Sequence, residues 1–122
     1  MCIFNDYIRL QDELKEMQKN IITVSKNYNN ELRLFQKGNI IDSINAEKVK
    51  EKYDDLQKAN TDIESKQKEI DTAEKEIQDY LTAMNGMAIR YTHNYQGINQ
   101  SMIFDMEINS YGEPKVKIVR EG

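Results

Sequence analysis

A chain of 122 residues and 14.4 kDa is of one-domain size. Its 31% charged residues, 8% aromatic residues and mean hydropathy of -0.80 suit long amphipathic helices better than a globule with a thick core. With 17 basic against 21 acidic residues the formal net charge is -4, which disfavours a nucleic-acid backbone as partner.

Cys2 is the only cysteine, which excludes a disulfide framework and a thiolate zinc site built within one chain. The first residues carry no basic segment followed by a long apolar run, so no signal peptide is expected. No stretch approaches the roughly 18 uninterrupted apolar residues of a membrane span. A cytoplasmic protein with no membrane partner is the expectation. The preference for Ile, Asn and Lys over Arg suggests an AT-rich genome, such as that of a low-GC bacterium or its phage.

Ile3, Tyr7, Leu10, Leu14, Met17, Ile21, Val24, Tyr28 and Phe35 follow a 3-4 alternation broken at Glu31, which is coiled-coil spacing on one helix face. The pattern predicts a first helix over about 3–37. Lys37 followed by Gly38-Asn39 reads as its end, because Gly or Asn readily takes the left-handed conformation that closes a helix.

After a turn at 38–41, Asp42 or Ser43 is placed to cap a second helix over about 42–85. Val49, Leu56, Ile63, Ile70, Ile77 and Met84 then recur at every seventh residue, the mark of a coiled-coil seam. So short a connection predicts an antiparallel hairpin. Folding about Asn39–Ile40 sets Ile3 beside Ile77, Leu10 beside Ile70, Met17 beside Ile63 and Val24 beside Leu56. It also puts the small Ala59 and Ala73 opposite the larger Ile21 and Tyr7.

The first helix carries additional apolar residues at Phe4, Ile8, Ile22, Leu32 and Leu34, so its apolar face is wider than one partner helix covers. A homodimer that buries these five residues is expected, because a long bare apolar strip promotes association. The alternative is that the C-terminal segment folds back over them. Acidic residues outnumber lysines along the second helix, and Asp54, Asp55, Asp62 and Asp71 are the candidates for docking a basic partner. Interleaved lysines make an ordinary solvated face the plainer reading.

Past Asn85-Gly86 the pattern changes to period two. Ile89, Tyr91, His93 and Tyr95 predict an extended segment, although the helix continuing to Gly97 is the competing possibility. Met102, Phe104, Met106 and Ile108 alternate with Ile103, Asp105 and Glu107 as a clear strand. Turn residues at Ser110-Tyr111-Gly112-Glu113-Pro114 lead to a last strand, with Ile108 expected opposite Val116, Met106 opposite Ile118 and Glu107 opposite Lys117. Residues 1–86 thus form a helical hairpin, and 87–122 a C-terminal antiparallel β-hairpin or three-stranded meander that caps it. The fold class is mainly α with a small β element.

Chemistry-bearing patterns are sparse. His93 is the only histidine, and it stands in no nucleophile, metal or acid–base spacing. The five glycines are scattered and form no phosphate loop. No catalytic residue, metal ligand or cofactor site is expected. Tyr91, His93, Tyr95 and Tyr111 are the candidate protein-binding residues of the C-terminal part, since tyrosine anchors many interfaces. The sequence therefore reads as a non-enzymatic interaction or scaffold protein, a homodimer with an unidentified protein partner. A small phage or mobile-element inhibitor that binds a host nucleic-acid-processing protein through its acidic helix is the first alternative. A phage fibre coiled coil with a β trimerisation cap is the second.

Overall fold

The computed structural model describes residues 2–36 and 40–121, apart from the side chain of Tyr95. Two helices, α1 (Ile3–Phe35) and α2 (Ser43–Ala83), precede three strands, β1 (Ile89–Tyr95), β2 (Ile98–Ile108) and β3 (Pro114–Glu121). The expected mainly-α architecture with a terminal meander is the observed one, and residues 89–95 are strand, not a continuation of the helix. The expected stop at Lys37, Gly38 and Asn39 lies outside the described residues.

Local chemistry explains the helix ends. Asp42 caps α2: its Oδ1 accepts the Asn45 N–H at 2.9 Å, and its carbonyl accepts the Ala46 N–H at 2.9 Å. The carboxylate also suits the positive end of the helix dipole. At the far end the Gly86 N–H reaches back to the Leu81 carbonyl at 2.8 Å and the Asn85 N–H to that of Thr82 at 3.0 Å. With Asn85 at φ 58° and Gly86 at φ 74°, this is a Schellman stop. The chain leaves the helix there and becomes extended.

The chain divides into two compact units, one of Met1–Leu10 with Glu69–Gly122 and one of Gln11–Lys68. The expected division at residue 86 follows the change from helix to strand, whereas the compact units do not. The reason is that the sheet packs on the ends of both helices, so these ends belong with it.

In the first unit the buried residues come from three elements: Tyr7, Ile8 and Leu10 of α1, Ile70, Ala73, Ile77 and Leu81 of α2, and Met102 and Phe104 of β2. The Tyr7 hydroxyl bonds Glu74, adjacent to Ala73, as the hairpin register requires. The sheet is antiparallel in the order β1-β2-β3. Tyr95 pairs with Ile98 across a two-residue turn in which Gln96 has φ 54° and Gly97 φ 81°. Both values are positive, as a type I′ turn needs, and its twist matches that of the strands.

The β2–β3 pairing corrects the expected register. Ile108 pairs with Pro114, Met106 with Val116, Glu107 with Lys115 and Phe104 with Ile118. The turn is tighter than anticipated because Asn109 organises it. Its N–H donates to the Glu113 carbonyl at 2.9 Å, and its Oδ1 accepts the N–H groups of Tyr111 and Glu113 at 2.9 and 3.0 Å. The slip is an even number of residues, so every side chain keeps its expected face.

In the second unit, residues 11–35 of α1 lie against 43–68 of α2. Lys66 bonds Glu13 at 2.6 Å, and the rings of Tyr28 and Tyr53 lie 5.8 Å apart, both in the anticipated register. Among the described residues none in this unit is fully buried. Its seam residues Leu14, Met17, Ile21, Val24, Leu56 and Ile63 are half-buried.

Ile77→Ala removes a side chain with 0% exposure and is expected to lower the unfolding free energy by about 2–5 kcal/mol. Lys58→Ala on an exposed helix face should change it by less than about 0.5 kcal/mol, both measured by urea denaturation.

Candidate functional site

The first unit concentrates aromatic side chains around Phe104. Three-residue spacing on a helix brings Phe4 and Tyr7 of α1 one turn apart, and strand alternation brings Tyr91 and Phe104 to one face of the sheet. The Phe4 ring lies 4.8 Å from Phe104, 5.7 Å from Tyr91 and 5.6 Å from Tyr80. Tyr7 is 6.5 Å from Phe104, and His93 stacks on Tyr91 at 5.8 Å. These are the tilted and offset arrangements that ring quadrupoles favour.

This packing corrects part of the expected dimer contact. Ile8 is buried within its own unit, and Phe4 is half-buried in the ring cluster, so neither is a bare apolar residue awaiting a second copy. The N-terminal part of α1 has two intrachain partners, α2 and the sheet, which is why its apolar face is wide. Ile22 and Leu34 in the second unit remain exposed, and Leu32 is half-buried.

Among the tyrosine candidates, Tyr91 and His93 are half-buried on the sheet face that carries the ring cluster, while the Tyr95 side chain lies outside the described residues. Tyr111 sits apart from them on the β2–β3 turn and is 85% exposed. Sequence reasoning grouped the four by composition, but strand pairing separates them.

Glu74 went unremarked in the sequence beyond its place among the acidic residues. Its Oε2 accepts the Tyr7 hydroxyl at 3.3 Å, and its Oε1 accepts Gln78 Nε2 at 3.2 Å and the Val116 N–H at 3.3 Å. Gln78 Nε2 also donates to the Pro114 carbonyl at 3.1 Å. One carboxylate therefore ties α1, α2 and β3 together. Burial, and then the adjoining Glu74 and Asp71 charges, raise the Tyr7 pKa well above the ordinary tyrosine value. The available sequence signal was that Glu74 stands four residues after the seam residue Ile70, on the face of α2 turned to the first helix.

Cys2 occupies the N-terminal end of α1. Desolvation opposes ionisation of its thiol, but hydrogen bonds from the Asn5 and Phe4 backbone and from Tyr91 outweigh it and lower the pKa. The Tyr91 hydroxyl is shifted upward, by desolvation first and then by the same contact.

The acidic candidates do not form one surface of a single sign. Asp54 bonds Lys50, and Lys58 stands between Asp55 and Asp62 along α2. Asp55 and Asp62 border a groove of about 240 Å³ whose apolar floor is Met17, Val24 and Ala59, with Asn20 and Lys58 beside them. The small Ala59 leaves this hollow between the helices. Asp71 belongs to the first unit, in a shallow depression with Glu74, Lys75, Gln78 and Lys115.

Among the described residues no three His, Cys, Asp or Glu side chains converge as metal ligands. No described helix is long and apolar enough to cross a membrane. Compared with known protein families, curated proteins and solved structures, the chain matches none.

Glu74→Ala strips an acceptor from three donors and is expected to lower stability by about 1–3 kcal/mol, measured by thermal unfolding. Because the Cys2 pKa is lower folded than unfolded, the stability it contributes is present above the unfolded pKa and is lost as pH falls through the folded one. The pH midpoint of iodoacetamide alkylation should accordingly lie lower in the folded protein than in urea. Tyr91→Phe should move that midpoint upward.

Proposed function

We propose that the protein is a non-catalytic interaction scaffold that acts as a homodimer and uses its helical hairpin unit to bind another protein. The observation that carries this reading is the incomplete burial of that unit. Two helices alone leave the seam residues only partly buried, whereas a helix pair gains most of its stability by burying an apolar face. The first unit meets the same need with a sheet. The second leaves it to a molecule from outside.

The most exposed apolar side chains of this unit lie near the α1–α2 connection. Leu34 is 64% exposed in the last turn of α1, Ile40 is 89% exposed in the connection, and Ile44 is 67% exposed in the first turn of α2. Single exposed apolar residues are ordinary. Three so near one connection, beside a half-covered seam, suit an apolar partner surface. Further along the seam, Asp55, Lys58 and Asp62 border the groove over Met17 and Val24 and offer polar groups of both signs. The interleaved lysines give the acidic face no advantage as an imitation of a nucleic-acid backbone.

Light scattering at micromolar concentration is expected to give about twice the 14.4 kDa chain mass. In affinity capture from the source cell, the triple variant Leu34→Ser/Ile40→Ser/Ile44→Ser should lose proteins that the unaltered chain retains. Identical retention by both would overturn the assigned partner surface.

A further inference from the structure

The two edges of the sheet differ, and the difference bears on how two copies meet. β3 is a guarded edge. Glu74 of α2 takes the Val116 N–H and Gln78 takes the Pro114 carbonyl, while Pro114, Lys115 and Lys117 add the proline and lysines that discourage strand addition. Among the described residues no hydrogen bond from a helix guards β1 in this way. It carries a single charged residue, Arg90, and no proline, and no fourth strand lies beside it among the described residues.

The turn fixes which backbone groups that edge presents. A two-residue hairpin is closed by a pair that exchanges both N–H···O bonds, and here that pair is Tyr95 and Ile98. Alternation then directs the backbone groups of Ile89, Tyr91 and His93 toward β2. Arg90, Thr92 and Asn94 turn their N–H and C=O groups to the open side.

The geometry points to β1 as the surface that docks a second copy of this chain, edge to edge and antiparallel, with the two-fold axis through Thr92. The assignment rests on the chain being a homodimer and names the contact that makes it one. In this register Thr92 faces Thr92, and Arg90 faces Asn94 on both sides of the axis. The outward groups of these residues form about six N–H···O bonds. Thr–Thr is a favourable cross-strand pair, and no like charges oppose each other. Arg90 is drawn across the outer face by its bond to Glu121 at 2.8 Å, which further lowers the local positive charge at the contact. A symmetric contact needs this self-complementarity, because the same patch serves both partners. The β3 edge, with Lys115 and Lys117 and two of its backbone groups engaged, lacks it.

Thr92→Lys and Thr92→Glu test the assignment. Thr92 is exposed, and among the described residues its hydroxyl bonds Ser101 Oγ, at 2.9 Å, so circular dichroism should report an unchanged fold for both. Each variant alone sets like charges against each other at the axis and is expected to weaken dimerisation at least about ten-fold in light-scattering dilution series. An equimolar mixture of the two should recover the dimer, because Lys then faces Glu. Dimerisation of both single variants with unaltered affinity would overturn the β1 contact while leaving the homodimer in place. An unaltered chain that stays monomeric at about 100 µM, far above the Kd of a stable dimer, would overturn both.

Discussion

The burial of Phe104 is the constraint on which the first unit depends. Its ring has no exposed surface and touches Phe4 and Tyr7 from α1 and Tyr91 from β1, while Ile77 and Leu81 of α2 are equally enclosed. A three-stranded sheet this small is marginal in water unless one face is covered. The helix ends provide that cover, and the sheet in return covers the part of α1 that α2 does not reach. Glu74 fixes the third side by tying β3 to α2 and Tyr7 to both.

The second unit shows the same helices without a third layer. Its seam obeys the same heptads, and Lys66 and Glu13 hold the same register, yet no described side chain there is fully buried. Hydrophobic burial scales with area removed from water, so two helices side by side gain only part of what their sequence offers. The proposed scaffold role follows from this contrast between one completed core and one incomplete one. The proposed β1 contact would seat a second copy without drawing on the helical seam.

Much of the fold is legible in the sequence. The strict sevens from Val49 to Met84 and the 3-4 pattern from Ile3 to Phe35 specified the helices, and Asn85-Gly86 marked the stop that the Schellman bonds make. Local chemistry sufficed because each signal acts within one or two turns. The β2–β3 register was misplaced by two residues because it depended on how many bonds Asn109 would make within its turn, which composition does not reveal. The candidate site was less legible. Phe4 and Ile8 resembled Ile22 and Leu34 as extra apolar residues on one helix, and only packing distinguishes the covered pair from the exposed one.

The sequence by itself determined the two helices, their antiparallel register, the alternating strands and the faces they present, because periodicity and caps are properties of neighbouring residues. The tertiary structure alone decided where the core is complete. That depends on which surfaces the sheet reaches, and so on contacts between residues as distant in the chain as Phe4 and Phe104. It also decided that Glu74 is a tie rather than one more solvated acid, and that β1, not β3, is the open edge. Both follow from the bonds that Glu74 and Gln78 of α2 make to the backbone of β3.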